Sequence, residues 1–145
     1  MLVKYHVIVS LGGGAVTYII TRSFSSTTLF CLAGIFIDID HLFDYICNWG
    51  WKIVNIREFF DIFYTLKLKK IYVILHGYEL LAALGIVLWY LKPNWGWAVF
   101  LSLAIHLLMD QLYFSINFRR TSPWFYFLTY RISKGFELKR FEQGT

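Results

Sequence analysis

Four stretches of this chain, about Tyr5–Thr21, Thr27–Cys47, Ile71–Leu91 and Trp95–Phe118, contain no Lys or Arg and are mostly apolar. Each has 17 or more residues, and a helix of about 17–25 apolar residues is long enough to cross a bilayer. The pattern predicts an all-α integral membrane bundle of four transmembrane helices in a single domain covering residues 1–145. Composition agrees: 58% of residues are hydrophobic, only 16% are charged and 21% are aromatic. Aromatic rings suit the boundary between lipid and water.

The first span has the basic start and apolar run of a signal peptide, but Gly12, Gly13 and Gly14 interrupt it and Thr21-Arg22-Ser23 is not a small-residue cleavage site. We read it as a retained helix whose glycines let a neighbour approach closely. Between the second and third spans, Ile53, Ile56, Phe60 and Phe63 recur at helical spacing among Lys52, Asn55, Glu58 and Asp61. That predicts an amphipathic helix, either in the membrane interface or half-buried as a connector. In the basic tail, 119–145, the aromatic run Pro123–Tyr130 is expected at the headgroups. Cys31 and Cys47 lack the paired spacing of a zinc finger and read as apolar fillers.

Four spans place the N-terminus, the 48–70 loop and the C-terminus on one side, which carries 12 of the 14 Lys and Arg. The positive-inside rule makes that side cytoplasmic, giving a multi-pass protein of the inner (cytoplasmic) membrane. It also accounts for the net charge of +5 without a nucleic-acid partner; membrane lipids are the expected surroundings.

The polar residues inside the spans carry the chemistry. All four histidines lie there, His6, His41, His76 and His106, with the carboxylates Asp38, Asp40, Asp44, Glu79 and Asp110. A charge at the bilayer centre costs at least ~2.5–3.5 kcal/mol. Carboxylates with no basic partner must be protonated, line a wet cavity or be neutralised by a cation. Imidazole and carboxylate together suit a divalent transition metal, zinc first, with manganese or iron as alternatives. His106 and Asp110 stand at i,i+4, His76 and Glu79 at i,i+3, and Asp38, His41 and Asp44 step by three, so each set shares a helix face. At ~1.5 Å per residue, His41, Asp38, His76, Glu79 and Asp110 fall at one depth in the cytoplasmic half, with Asp44 shallower, His106 deeper and His6 near the surface.

The stretch Ala33-Gly34-Ile35-Phe36-Ile37-Asp38-Ile39-Asp40-His41 resembles the G…PDxDH signature of the YdjM-like membrane-bound metal-dependent hydrolases, with Ile37 where that family often has Pro. An early His, a His opening a later span and an HxxxD motif on the last one complete the resemblance, here His6, His76-Gly77-Tyr78-Glu79 and His106-Leu107-Leu108-Met109-Asp110. The order and spacing agree over about residues 5–114. The resemblance implies a metal-dependent hydrolase. Asp38, His41, His76, His106 and Asp110 would be ligands to one or two ions, with His6 and Asp44 as additions. Asp40 or Glu79 would accept a proton or orient water. The cytoplasmic depth points to a phosphoester or lipid-like ester; Arg119, Arg120 and Arg131 could draw in phosphate, and positive-inside topology explains them equally well. Two rivals share these residues: a proton or metal-ion pathway, and a structural or regulatory membrane protein whose metal only holds the helices together.

Overall fold

The computed structural model describes residues 3–51, 56–65, 67–117 and 122–141. It is all-α: helices α1 (Val3–Thr21), α2 (Phe24–Phe36), α3 (Asp40–Trp49), α4 (Ile56–Tyr64), α5 (Tyr78–Leu91), α6 (Gly96–Asn117) and α7 (Leu128–Ser133), with no strand among the described residues. Of these, α6 is long and apolar enough to cross a membrane. The first and last predicted spans are each a single helix, although among the described residues α6 alone meets that length and apolarity. The second and third are not.

The second span breaks at the DxDH motif. Helix α2 ends at Phe36, a 3-10 turn covers Ile37–Ile39, and α3 begins at Asp40. In the third span, helix begins only at Tyr78; before it lie an extended segment and a 3-10 turn at Ile74–His76. Val73 sits there in the left-handed region at φ 33°, a conformation that bulky residues adopt only where their surroundings impose it. Helix α5 has 14 residues, so it rises only ~21 Å.

Helices α1, α2, α5 and α6 form a bundle in which α2 packs against α1 and α6, and α6 against α5. Ser23 caps α2 by accepting from the Ser26 N–H. Close approach depends on small residues: a methyl on Gly34 would lie 2.5 Å from Ser10 Oγ and 2.6 Å from Ser102 Oγ, and one on Gly13 would strike the Phe30 ring. The glycine run of α1 does face a neighbouring helix as expected, through Gly13 and Gly14, whereas Gly12 faces open space.

A second layer caps one end. Tyr45 of α3, Ile62 of α4, Leu68, Ile71 and Val73 of the extended segment, and Phe125, Tyr126 and Phe141 from the tail form a conventional hydrophobic core. The predicted amphipathic helix is α4, and it is a half-buried connector: Phe59, Ile62 and Phe63 face this core. Ile53, Lys52 and Asn55 lie outside the described residues. Within the aromatic run of the tail, Trp124 is exposed but Phe125 and Tyr126 are buried, so that run folds inward instead of lying flat on a surface.

Candidate metal centre

At the junction of bundle and cap, an extended segment is held against one face of α3. Asp40, Asp44 and Asn48 recur every four residues, so they align on that face. Asn48 Oδ1 accepts from the Lys69 and Lys70 N–H groups, and its Nδ2 donates to the Lys70 carbonyl. Asp44 accepts from Tyr72 N (2.8 Å) and Val73 N (3.2 Å). Asp40 Oδ2 accepts from Leu75 N (2.9 Å) and lies 3.1 Å from His76 Nδ1.

From the opposite side, Arg131 of α7 donates to the carbonyls of Tyr72, Val73 and His76. Its side chain is fully buried. Burial pulls its pKa down, and the charges of Asp40 and Asp44 push it back up. Buried backbone outside a helix needs such partners for its N–H and C=O groups, and this ladder of side chains provides them. Arg131 is thus a structural ion and not a phosphate collector; Arg119 and Arg120 lie outside the described residues.

The ladder aims His76 into the bundle. Its Nδ1 faces a carboxylate, so Nδ1 carries the proton and Nε2 points onward. Helix α6 does the same for His106. Ser102, His106 and Asp110 lie four residues apart on one face; Ser102 donates to the Phe30 carbonyl and His106 Nδ1 to that of Gly34, at 2.6 and 2.9 Å. Gly34 allows this approach. Both Nε2 atoms then meet at 3.3 Å. Asp38 Oδ1 lies 3.3 Å from each, and Asp110 Oδ2 lies 3.5 Å from His76 Nε2 and 3.4 Å from His106 Nε2.

Both imidazole nitrogens thus lie close to each other and to one oxygen of each carboxylate. In a tetrahedral site with metal–ligand bonds of ~2.0–2.1 Å, ligand atoms stand about 3.3–3.4 Å apart, and the nitrogen–nitrogen and nitrogen–oxygen separations here lie at or near that spacing. Two overlapping groups could hold a metal ion: His6, Asp38, His106 and Asp110, and Asp38, His41 and His76, with Asp38 common to both. The donor set is oxygen and imidazole nitrogen, which fits a divalent transition metal.

Of the predicted residues, Asp38, His41, His76, His106, Asp110 and His6 come together. His6, expected near the surface, is buried; its Nε2 bonds Asp110 Oδ1 at 3.0 Å and its ring stacks on His106 at 4.0 Å. His41 Nε2 lies 3.6 Å from Asp38 Oδ1. Asp40 reaches the cluster through His76, as the break in the helix allows. Asp44, expected among the ligands, belongs to neither group and is engaged with backbone N–H groups. Glu79, expected to handle a proton, caps the start of α7 instead, accepting from Leu128 N, Thr129 N and Thr129 Oγ1 at 2.7–2.9 Å. Sequence reasoning passed over Asn48 and gave Arg131 a phosphate-attracting role instead of this structural one. The four-residue recurrence of Asp40, Asp44 and Asn48 was the available signal for the first; nothing in the basic tail distinguishes the second.

Comparison of the chain with family models, with curated proteins and with solved structures finds no match.

Proposed function

We propose that this chain is a multi-pass membrane protein that hydrolyses a phosphoester or lipid-like ester at the cytoplasmic face, using one or two divalent metal ions, zinc first, and that it belongs with the YdjM-like membrane-bound metal-dependent hydrolases it resembles. The observation that carries the metal reading is that His76 Nε2 and His106 Nε2, 3.3 Å apart, each lie 3.3–3.5 Å from Asp38 Oδ1 and Asp110 Oδ2. A divalent cation held there would supply Lewis acidity and lower the pKa of a water in its reach. The chain's own residues do the rest. Asp40 holds the His76 tautomer and Gly34 that of His106, while His6 orients Asp110.

A catalytic site keeps one side open, whereas a structural one is closed by protein. The side chains of Asp38 and His41 are 18% and 28% exposed, which favours a site reached from outside over a sealed structural one. A through-pathway is disfavoured because the polar groups stop at one end: beyond Gly85, helix α5 continues as Ile-Val-Leu-Trp-Tyr-Leu. Glu79 is already occupied, so the proton-handling role falls to Asp40, whose Oδ1 is buried without a hydrogen-bond partner.

Membrane placement is supported by the surface. Large apolar side chains point outward from α1, α5 and α6, including Ile8, Ile19, Ile20, Ile86, Leu91, Leu108 and Ile116, each more than half exposed. The bundle interior holds Ser10, Ser26, Ser102 and the cluster. Contiguous exposed apolar surface marks an interaction with membrane or protein. Helices that pack through small residues, with hydroxyls bonding across, are typical of lipid. The non-helical 71–77 segment is acceptable at membrane depth because the ladder satisfies its backbone inside protein.

Elemental analysis of purified protein tests this reading, beside His41→Ala and His106→Ala. The expected result is about one or two transition-metal ions per chain, as the two donor groups imply, lost or reduced in both variants. Folded protein that stays metal-free after reconstitution would overturn it.

A further inference from the structure

A cavity of about 180 Å³ lies between α5, α6 and the two 3-10 turns, walled by Ile37, Leu75, Leu81, Leu84, Leu103 and Leu107 among others, with no polar side chain in its lining. Its walls are chain neighbours of the metal-type donors: Ile37 precedes Asp38, Leu75 precedes His76 and Leu107 follows His106. It opens past Leu75 and Leu80, which are 45% and 38% exposed. An apolar cavity of about 150 Å³ stays dry and takes a benzene-sized hydrocarbon. This cavity is half open, but its lining likewise offers water no polar side chain to bond, which favours a hydrocarbon chain.

Leu103 and Leu107 stand at i,i+4 on α6, one residue round from the face that carries Ser102, His106 and Asp110. The same helix thus shows polar donors to one side and the apolar cavity to the other. Asp38 and His76 are likewise each preceded by a wall residue. A molecule that fills both regions needs a polar, anionic head and an apolar tail.

We propose that this cavity seats the hydrocarbon tail of the substrate, which is therefore an amphiphile with a phosphate-type head presented at Asp38, His76 and His106. The inference rests on the hydrolase reading for the head and on the cavity for the tail. The substrate's single tail enters past Leu75 and Leu80 from the membrane, so the scissile bond lies where the chain leaves the apolar wall.

Photo-crosslinking in nanodiscs tests it with two probes that share a diazirine-bearing dodecyl chain, one with a phosphate head and one with trimethylammonium. The phosphate probe is expected to label the cavity-facing residues of α5 and α6 and the ammonium probe to label them weakly. Leu84→Phe, which fills the cavity, should cut phosphate-probe labelling by about tenfold, the scale of an overpacked apolar site. Leu84→Ala, which enlarges it, and Ile86→Phe on the outer face should not. Metal content of each variant reports that the bundle is intact.

Labelling of α5 and α6 that is unchanged in Leu84→Phe would overturn the tail site even if metal is bound. Equal labelling by both heads, insensitive to His106→Ala, would overturn the amphiphile assignment by leaving only a crevice filled by any lipid. Metal-free protein would remove the hydrolase reading by a separate measurement, whatever the labelling shows.

Discussion

Two buried polar regions meet at His76, and they are built on opposite rules. In the ladder formed by Asn48, Asp44, Asp40 and Arg131, acceptors face N–H groups and the guanidinium faces carbonyls. In the cluster beyond His76, the two imidazole Nε2 atoms stand 3.3 Å apart and each lies 3.3–3.5 Å from Asp38 Oδ1 and Asp110 Oδ2; with both rings neutral and protonated at Nδ1, all four of these atoms are acceptors. The ladder pairs the backbone it faces, and among the described residues it leaves Asp40 Oδ1 and Arg131 Nε as its buried side-chain atoms without a hydrogen-bond partner. The cluster reaches low energy only when positive charge enters its centre, as a metal ion or as protons on the imidazoles. A buried polar group left unpaired costs about 1–3 kcal/mol, so the ladder reads as structure and the cluster as a binding site.

Breaking the ladder should give the largest loss of stability. Arg131→Met removes the donors to three carbonyls, two of them in buried bonds, and the positive charge beside Asp40 and Asp44. Removing one partner from a buried ionic group typically costs ~3–5 kcal/mol. Unfolding of metal-free protein in detergent should show a loss of that order. A variant as stable as wild type would show that the cap does not hold the 71–77 segment.

Asp38 in the break and Asp44 on α3 sharpen the contrast, because the same chemical change should act with different sign. Asp44→Asn exchanges a charged acceptor of two N–H groups for a weaker one, and bonds to charged groups are worth ~1.5–3 kcal/mol; metal-free protein should lose about that much. Asp38→Asn instead gives the crowded centre an amide N–H that can donate to an imidazole Nε2. Metal-free stability should hold or rise slightly while metal content falls sharply. If metal-free Asp38→Asn unfolds as readily as Asp44→Asn, the cluster is a set of protonated histidine–carboxylate pairs, and the distinction between the two regions fails.

Residue type carried the sequence reading a long way, since all six residues that gather at the centre were candidates from the start. What it could not separate was a carboxylate aimed at the centre from one aimed at backbone. The apolar run through Ile35-Phe36-Ile37 hides the break at Ile37–Ile39, and that break turns Asp40 onto the Asp44–Asn48 face. Similarly, Ile71-Tyr72-Val73-Ile74-Leu75 looks like the opening of a spanning helix, yet it passes through a left-handed Val73 into a 3-10 turn, because α3 and Arg131 satisfy its backbone from outside the segment. His76 and Glu79 share a face only if a helix runs through both; α5 starts at Tyr78, and Glu79 turns to α7. Arg131 sits among surface-type basic residues, and only tertiary contact distinguishes it.

Glu79 offers the smallest and most selective test, because it is the one predicted proton carrier placed wholly on the ladder's kind of duty. Its two oxygens fix the first N–H groups of α7, the helix that carries Arg131. Glu79→Gln keeps an acceptor but removes the charge that favours a helix N-terminus, an effect of roughly 0.5–1 kcal/mol in a partly exposed position. Unfolding should shift by that little, with metal content and any hydrolysis unchanged. Loss of turnover in Glu79→Gln at full metal occupancy and nearly full stability would return Glu79 to the chemistry. It would also mean that the cap opens during turnover, since its carboxylate is otherwise held against Leu128 and Thr129.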